Sequence, residues 1–232
     1  MKFGCCLYVF VPGPFFEKKA LGYVDAVKRA SKLGFKGTGG ITRTKDMDYT
    51  SIGRIRETSE SLDLEVVEFI TMVGDHSLSD EREEVRKAGI EYFKESVQMA
   101  SELGAKIINT QSHDPFPYET RPDFSQPIIT VDVPAGFDWD KVWERYVETI
   151  GRCADIVKEA NLLWAMEHHP FQIVDNTNMD LKLIEDVGSE ALGICFDTAQ
   201  VLLAVEIPAI SIYKLKDRIF HAHLSDNLGS II

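Results

Sequence analysis

What this chain lacks narrows its function before any motif is read. It has no run of about 18 uncharged apolar residues, so no membrane-spanning helix is expected. Its opening, MKFGCCLYVFVPGP, has no charged segment leading into a long apolar one, which argues against a secretory leader. Cysteine is sparse: Cys5, Cys6, Cys153 and Cys195 are scattered without a CxxC pair and read as reduced thiols, not a disulfide framework. A cytoplasmic location is the default expectation. Positive charge is short as well, with 25 Lys and Arg against 37 Asp and Glu, a formal net charge of −12. Phosphate backbones and anionic membranes call for clustered Lys and Arg, so nucleic acid and membrane are disfavoured as partners and a small molecule is expected, with homo-oligomerisation left open. No GxGxxG or GxxxxGK[ST] follows the first apolar run, which removes the common nucleotide-binding signals. The GTGG at Gly37 to Gly40 is a weak imitation, because it falls in and after the second strand-like run and does not open a helix.

What is present is an alternation of two periodicities across 232 residues, 44% of them apolar, enough for one large domain spanning 1–232. Strand-like runs occur at Phe3 to Phe10, Phe35 to Ile41, Leu64 to Thr71, Lys106 to Gln111, Leu163 to His168, Leu192 to Asp197 and Ile219 to Leu224. Amphipathic helical stripes lie between them. One carries Ala20, Val24, Val27 and Ala30; a second runs through Val85, Ala88, Tyr92, Met99 and Leu103; a third holds Trp143, Val147, Ile150, Ala154 and Val157. In KLGFKG and ELGAKI, Gly34 and Gly104 stand where a helix stops before a strand begins, as C′ caps do. Strand and helix in strict alternation specify a parallel sheet with right-handed crossovers. Seven strands and six intervening helices point to an α/β fold of the (β/α)8 TIM-barrel kind. Residues 112–138, with five prolines and no helical stripe, form a long loop after the fourth strand. That places it on the active-site face of such a barrel, as a lid or a substrate-shaping segment.

The chemistry gathers at strand ends. The fifth, sixth and seventh runs finish MEHHP, CFDTAQ and HAHLSDN, delivering Glu167, Asp197 and His223 to one edge of the barrel. Singly each has a plain explanation: Asp197 would cap the helix that follows, and His221 or His223 would be a core histidine held by backbone carbonyls. Three successive strand ends bearing ligand-type residues favour a metal site instead. In LLWAMEHHPF, residues two apart share a face, so Glu167 and His169 turn one way and His168 the other.

With EHHP, FDTAQ, HAHLSDN, the opening FGCCLYVF and the LGFKG helix exit together, the chain resembles the sugar phosphate isomerase/epimerase family of xylose isomerase-like TIM barrels. Ketose 3-epimerases, hydroxypyruvate isomerase and inosose dehydratase belong to that group. The resemblance implies one divalent ion (Mn, Mg, Co or Zn) held by Glu167, Asp197 and His223. It also implies a catalytic Glu167 that moves a proton through a metal-stabilised enediolate of a small sugar. His169, His113 and Gln200 are the candidate substrate-binding residues. The implied activity is a metal-dependent isomerase or epimerase; a sugar dehydratase, or a sugar-binding barrel without turnover, is the alternative. Two positions depart from relatives: Gln200 stands where several have histidine, and Gly229 where ketose epimerases have arginine. The fourth ligand of the group, a glutamate on an eighth strand, has no counterpart. The six residues NLGSII after HLSD are too few for a crossover helix and another parallel strand, so the eighth βα unit is expected to be missing from a C-terminally incomplete chain.

Overall fold

A computed structural model of the chain describes residues 3–13, 18–73, 78–116 and 133–226. The strands are β1 (Gly4–Cys6), β2 (Gly37–Gly39), β3 (Ile41–Thr42), β4 (Glu65–Val66), β5 (Glu68–Ile70), β6 (Ile107–Gln111), β7 (Leu163–Glu167), β8 (Leu192–Asp197) and β9 (Ile219–His223). The helices between them are α1 (Gly22–Lys32), α2 (Tyr49–Ser61), α3 (Glu83–Leu103), α4 (Trp139–Glu159), α5 (Thr177–Val187), α6 (Thr198–Leu203) and α7 (Pro208–Leu215). Every strand pairing is parallel, in the orders β1-β2-β4 and β3-β5-β6-β7-β8-β9. The β2 and β3 segments are two halves of one stave broken at Gly40, and β4 and β5 are two halves of another broken at Val67. Seven staves therefore curl in sequence order with helices outside, a TIM-barrel arrangement. Among the described residues, β1 pairs only with β2 and β9 only with β8.

All six residues of β8 are buried, as expected of a strand covered by helices on one face and by the barrel interior on the other. The larger core lies between sheet and helices, where Phe93 of α3 packs on Trp164 of β7 at 4.7 Å between ring centres. The Trp164 indole N–H donates to Thr110 Oγ1 at 2.9 Å, so the buried polar atom is satisfied. Gly34 and Gly104 close α1 and α3 with φ of 88° and 82°, the left-handed geometry expected of C′ glycines.

Two expectations need correction. The Phe3 to Phe10 run is a strand only over β1, after which Leu7–Phe10 winds into a 3₁₀ turn that brings Tyr8 to the barrel mouth. Met99 and Leu103 are buried as expected, but the rest of the buried stripe of α3 is Ile90, Phe93, Val97 and Ala100, with Ala88 and Tyr92 outside it. Phe93 is the larger apolar group, and Tyr92 instead lies beneath the Arg43 guanidinium at 3.8 Å, where its ring meets a cation and water together. The proposed lid falls mostly on residues 117–132, and the C-terminal NLGSII on residues 227–232, outside the described residues.

A bulge in β9 decides which of its side chains enter the barrel. Ile194 of β8 pairs with Ile219, but the next residue, Cys195, pairs with His221, leaving Phe220 as the extra residue. Ile219 then packs outward with Ile194 and Leu215, while Phe220 turns inward beside Ile107, Ala165 and Cys195. Gly193 makes room for it, since a Cβ there would come within 2.5 Å of the Phe220 ring. Strict alternation resumes above the bulge and aims His221 and His223 inward over this apolar layer.

Candidate active site

Above the apolar layer the interior becomes polar around a single imidazole. His223 Nδ1 lies 3.0 Å from Glu167 Oε2 and 3.8 Å from Asp197 Oδ2, and its Nε2 lies 3.0 Å from Glu68 Oε1. Glu167, Asp197 and His223 thus converge as the sequence reading expects. Each arrives at the C-terminal end of its strand, the face that carries active sites in this architecture. Asp197 caps a helix and also faces the cluster. Its Oδ1 caps α6, accepting the N–H groups of Ala199 at 2.7 Å and Gln200 at 3.1 Å, while Oδ2 faces His223.

His169 joins the cluster, with Nε2 3.0 Å from Glu167 Oε1, whereas His168 turns to the helix side and meets Asp180 of α5 at 2.7 Å. The opposite facing of adjacent histidines follows from strand alternation. Gln200 is close by through its backbone, and its side-chain Oε1 is buried with no hydrogen-bond partner among the described residues. His113 is placed elsewhere: buried at 3% exposure, its Nδ1 lies 3.1 Å from the Tyr146 hydroxyl of α4, behind the sheet.

Sequence reasoning missed Glu68. It is 1% exposed, its Oε2 accepts the Gly40 N–H at 2.9 Å, and its Oε1 is 3.0 Å from His223 and 3.6 Å from His221. The signal was present in LEVVEFIT, where Glu68 stands between Val67 and Phe69 in a mostly apolar strand, much as Glu167 follows an apolar run. Cys195 was missed as well; among the described residues, it forms with Glu167 and His223 one of two sets whose donor atoms all lie within 4.8 Å of one another, Glu68, His221 and His223 being the other.

The charges shape one another. Burial opposes ionisation of Glu167, but hydrogen bonds with His169 and His223 outweigh it and hold the carboxylate well below its usual range. Burial likewise works against a charged His223, yet its hydrogen bonds with Cys195, Glu167 and Glu68 raise its proton affinity strongly. Glu68 is also kept ionised against burial, by His223, His221 and the Gly40 amide. Burial lowers His221 despite the nearby Glu68, and burial together with Glu68 pushes the Cys6 thiol up to about 12. Three carboxylates, Glu68, Glu167 and Asp197, thus surround one imidazole.

Residues 27–231 match the family described as Xylose isomerase-like TIM barrel, and the chain belongs to it. An inosose dehydratase of Clostridium tetani (strain Massachusetts / E88) is 26% identical over 145 residues, 62% of this chain and 45% of that protein. Among solved structures, L-ribulose 3-epimerase is similar with a TM-score of 0.75 and 17% identity, covering 96% of this chain and 69% of the other. D-psicose 3-epimerase in the presence of D-fructose gives 0.70 and 19%, over 87% of this chain and 66% of that one. The chain therefore spans under half the length of the dehydratase and about two thirds of the psicose epimerase. No described helix is long and apolar enough to cross a membrane.

Proposed function

We propose that this chain acts on a small sugar or sugar derivative as a metal-dependent isomerase or epimerase, with Glu167 as the acid/base group. One observation carries the reading: a glutamate, an aspartate and a histidine from three consecutive staves meet at the barrel mouth, His223 Nδ1 facing both carboxylates. Donors about 2.0–2.2 Å from a divalent ion stand roughly 3–4 Å from each other. The spacings of 3.0 and 3.8 Å fit that requirement. Oxygen and imidazole donors in this mixture suit Mn²⁺, Mg²⁺, Co²⁺ or Zn²⁺. Bound there, the ion would supply Lewis-acid polarisation of a substrate carbonyl.

The remaining work belongs to the chain. Glu167 takes a proton from the carbon beside the carbonyl, and His169, bonded to its other oxygen, fixes the carboxylate in the plane that reaches the substrate. The buried, unpartnered Gln200 Oε1 is an acceptor for a sugar hydroxyl. An acidic, small-molecule site also agrees with the net charge of −12, which would repel polyanions.

A dehydratase is the second reading, favoured by the match to an inosose dehydratase. Both start by removing a proton beside a carbonyl and differ in whether a β-hydroxyl then leaves as water. The test is incubation of Mn²⁺- or Co²⁺-loaded protein with ketoses and keto-inositols in deuterated water. Deuterium beside the carbonyl supports the epimerase or isomerase, and loss of water supports the dehydratase. Glu167→Gln should reduce either outcome by about 10²–10⁴-fold. Thermal stabilisation by a sugar with neither exchange nor dehydration would refute catalysis and leave a binding protein.

A further inference from the structure

Glu68 lies beneath the mouth, on the far side of His223 from Glu167 and Asp197, and its contacts set the state of that imidazole. An ionised carboxylate has no hydrogen to give. One of its oxygens is already taken by the Gly40 N–H at 2.9 Å, and the other faces His223 Nε2 at 3.0 Å. That nitrogen must therefore carry the hydrogen. With Nε2 holding its hydrogen, Nδ1 is the nitrogen that faces Glu167 Oε2 at 3.0 Å and Asp197 Oδ2 at 3.8 Å. Between that nitrogen and two carboxylate oxygens a cation must stand: a proton on Nδ1 in the ion-free protein, or a divalent ion that takes its place.

We propose that Glu68 is the positioning residue of the site, holding His223 with hydrogen on Nε2 so that Nδ1 is the nitrogen offered to a divalent ion alongside Glu167 and Asp197. The inference rests on the metal-dependent reading above. Carboxylates that accept from the outer nitrogen of a ligating histidine orient the ring and raise its basicity, and their loss typically weakens metal binding 10–100-fold.

The GTGG stretch acquires a role from the same contacts. Gly40 breaks the stave between β2 and β3 with φ of 62° and turns its N–H toward Glu68. Gly39 leaves space for the carboxylate, since a Cβ there would lie 3.1 Å from Glu68 Oε2. The glycines serve an acid inside the barrel, and not a phosphate.

The test uses protein labelled with ¹⁵N-histidine and loaded with Zn²⁺, read by long-range ¹H–¹⁵N correlation. His223 should show hydrogen on Nε2 and the ion on Nδ1. An ion on Nε2, shared with Glu68 and His221, would overturn the assignment, and this spectrum decides the matter whether or not any variant folds. Glu68→Gln then probes cause. Glutamine has one acceptor for two donors. With that oxygen on the Gly40 N–H, its NH₂ faces His223 Nε2 and demands the reverse tautomer. Zn²⁺ and Co²⁺ should bind about 10–100-fold more weakly to this variant. Unchanged affinity with hydrogen still on Nε2 would overturn the proposal. Failure of the wild type to take up any divalent ion would instead refute the metal-dependent reading. In that event the ion-free protein still tests Glu68: the His223 Nε2 hydrogen should be protected from exchange in the wild type and unprotected in E68Q, and equal protection in both would overturn the role.

Discussion

Substituting Gly40 by alanine tests the backbone that holds the site from beneath. At φ of 62° an L-residue carries a penalty of about 1–2 kcal/mol. A Cβ at that position would collide with Cys6 Sγ and lie 3.3 Å from Cys6 Cα and Leu7 N. The thiol must swing aside or β1 and the Gly40 turn must separate, and overpacking of this kind costs about 1–3 kcal/mol. The two penalties add to about 2–5 kcal/mol, which for a chain of this size lowers Tm by roughly 4–20 °C. Trp143 and Trp164 are buried and report unfolding in urea by fluorescence. A second background separates the two causes. In Cys6→Ala the sulfur is gone while the dihedral penalty stays, so Gly40→Ala should then cost only about 1–2 kcal/mol, a coupling within the range for residues in contact. An equal cost in both backgrounds would refute the steric part of the reasoning. A cost below about 0.5 kcal/mol in both would refute the left-handed turn itself.

Two further outcomes follow from buried charge. His168→Leu leaves Asp180, fully buried and 2.7 Å from the lost imidazole, without its partner, and should cost about 3–5 kcal/mol in urea unfolding; His168→Leu/Asp180→Leu should recover most of that, and a double variant no better than the single would show that packing, not the stranded acid, sets the cost. In ion-free protein, His223 has its proton affinity raised in the folded state, where hydrogen bonds outweigh burial. Its stabilisation is therefore complete below the unfolded histidine value of about 6.5 and declines as pH rises toward the higher folded value. With chelator present, the stability gap between wild type and His223→Asn should narrow between about pH 6 and pH 9, and a widening gap would contradict the sign.

Much of the architecture was legible in the linear pattern because helix and strand periods are local properties. The glycines at 34 and 104 marked helix ends since left-handed backbone favours residues without Cβ. Glu167 and His169 shared a face because a strand repeats every two residues. Their meeting with Asp197 and His223 could be anticipated from parallel strands whose C-terminal ends lie side by side. The chain order of the seven staves, and the three strand ends bearing ligand-type residues, were determined at that level.

Tertiary structure decided the rest. Whether Tyr92 or Phe93 faced the core depended on which met the sheet and which found Arg43 beside it. His113 sits at a strand end like the cluster residues, but Tyr146 holds it behind the sheet. The bulge at Phe220 exists because Gly193 on the neighbouring strand leaves a gap that a side chain would close. Glu68 and His223 are 155 residues apart in the chain, and no local period links them. They meet because the curl of the sheet brings the third and seventh staves across one interior, where a buried acid must find a hydrogen-bond donor or lose its charge.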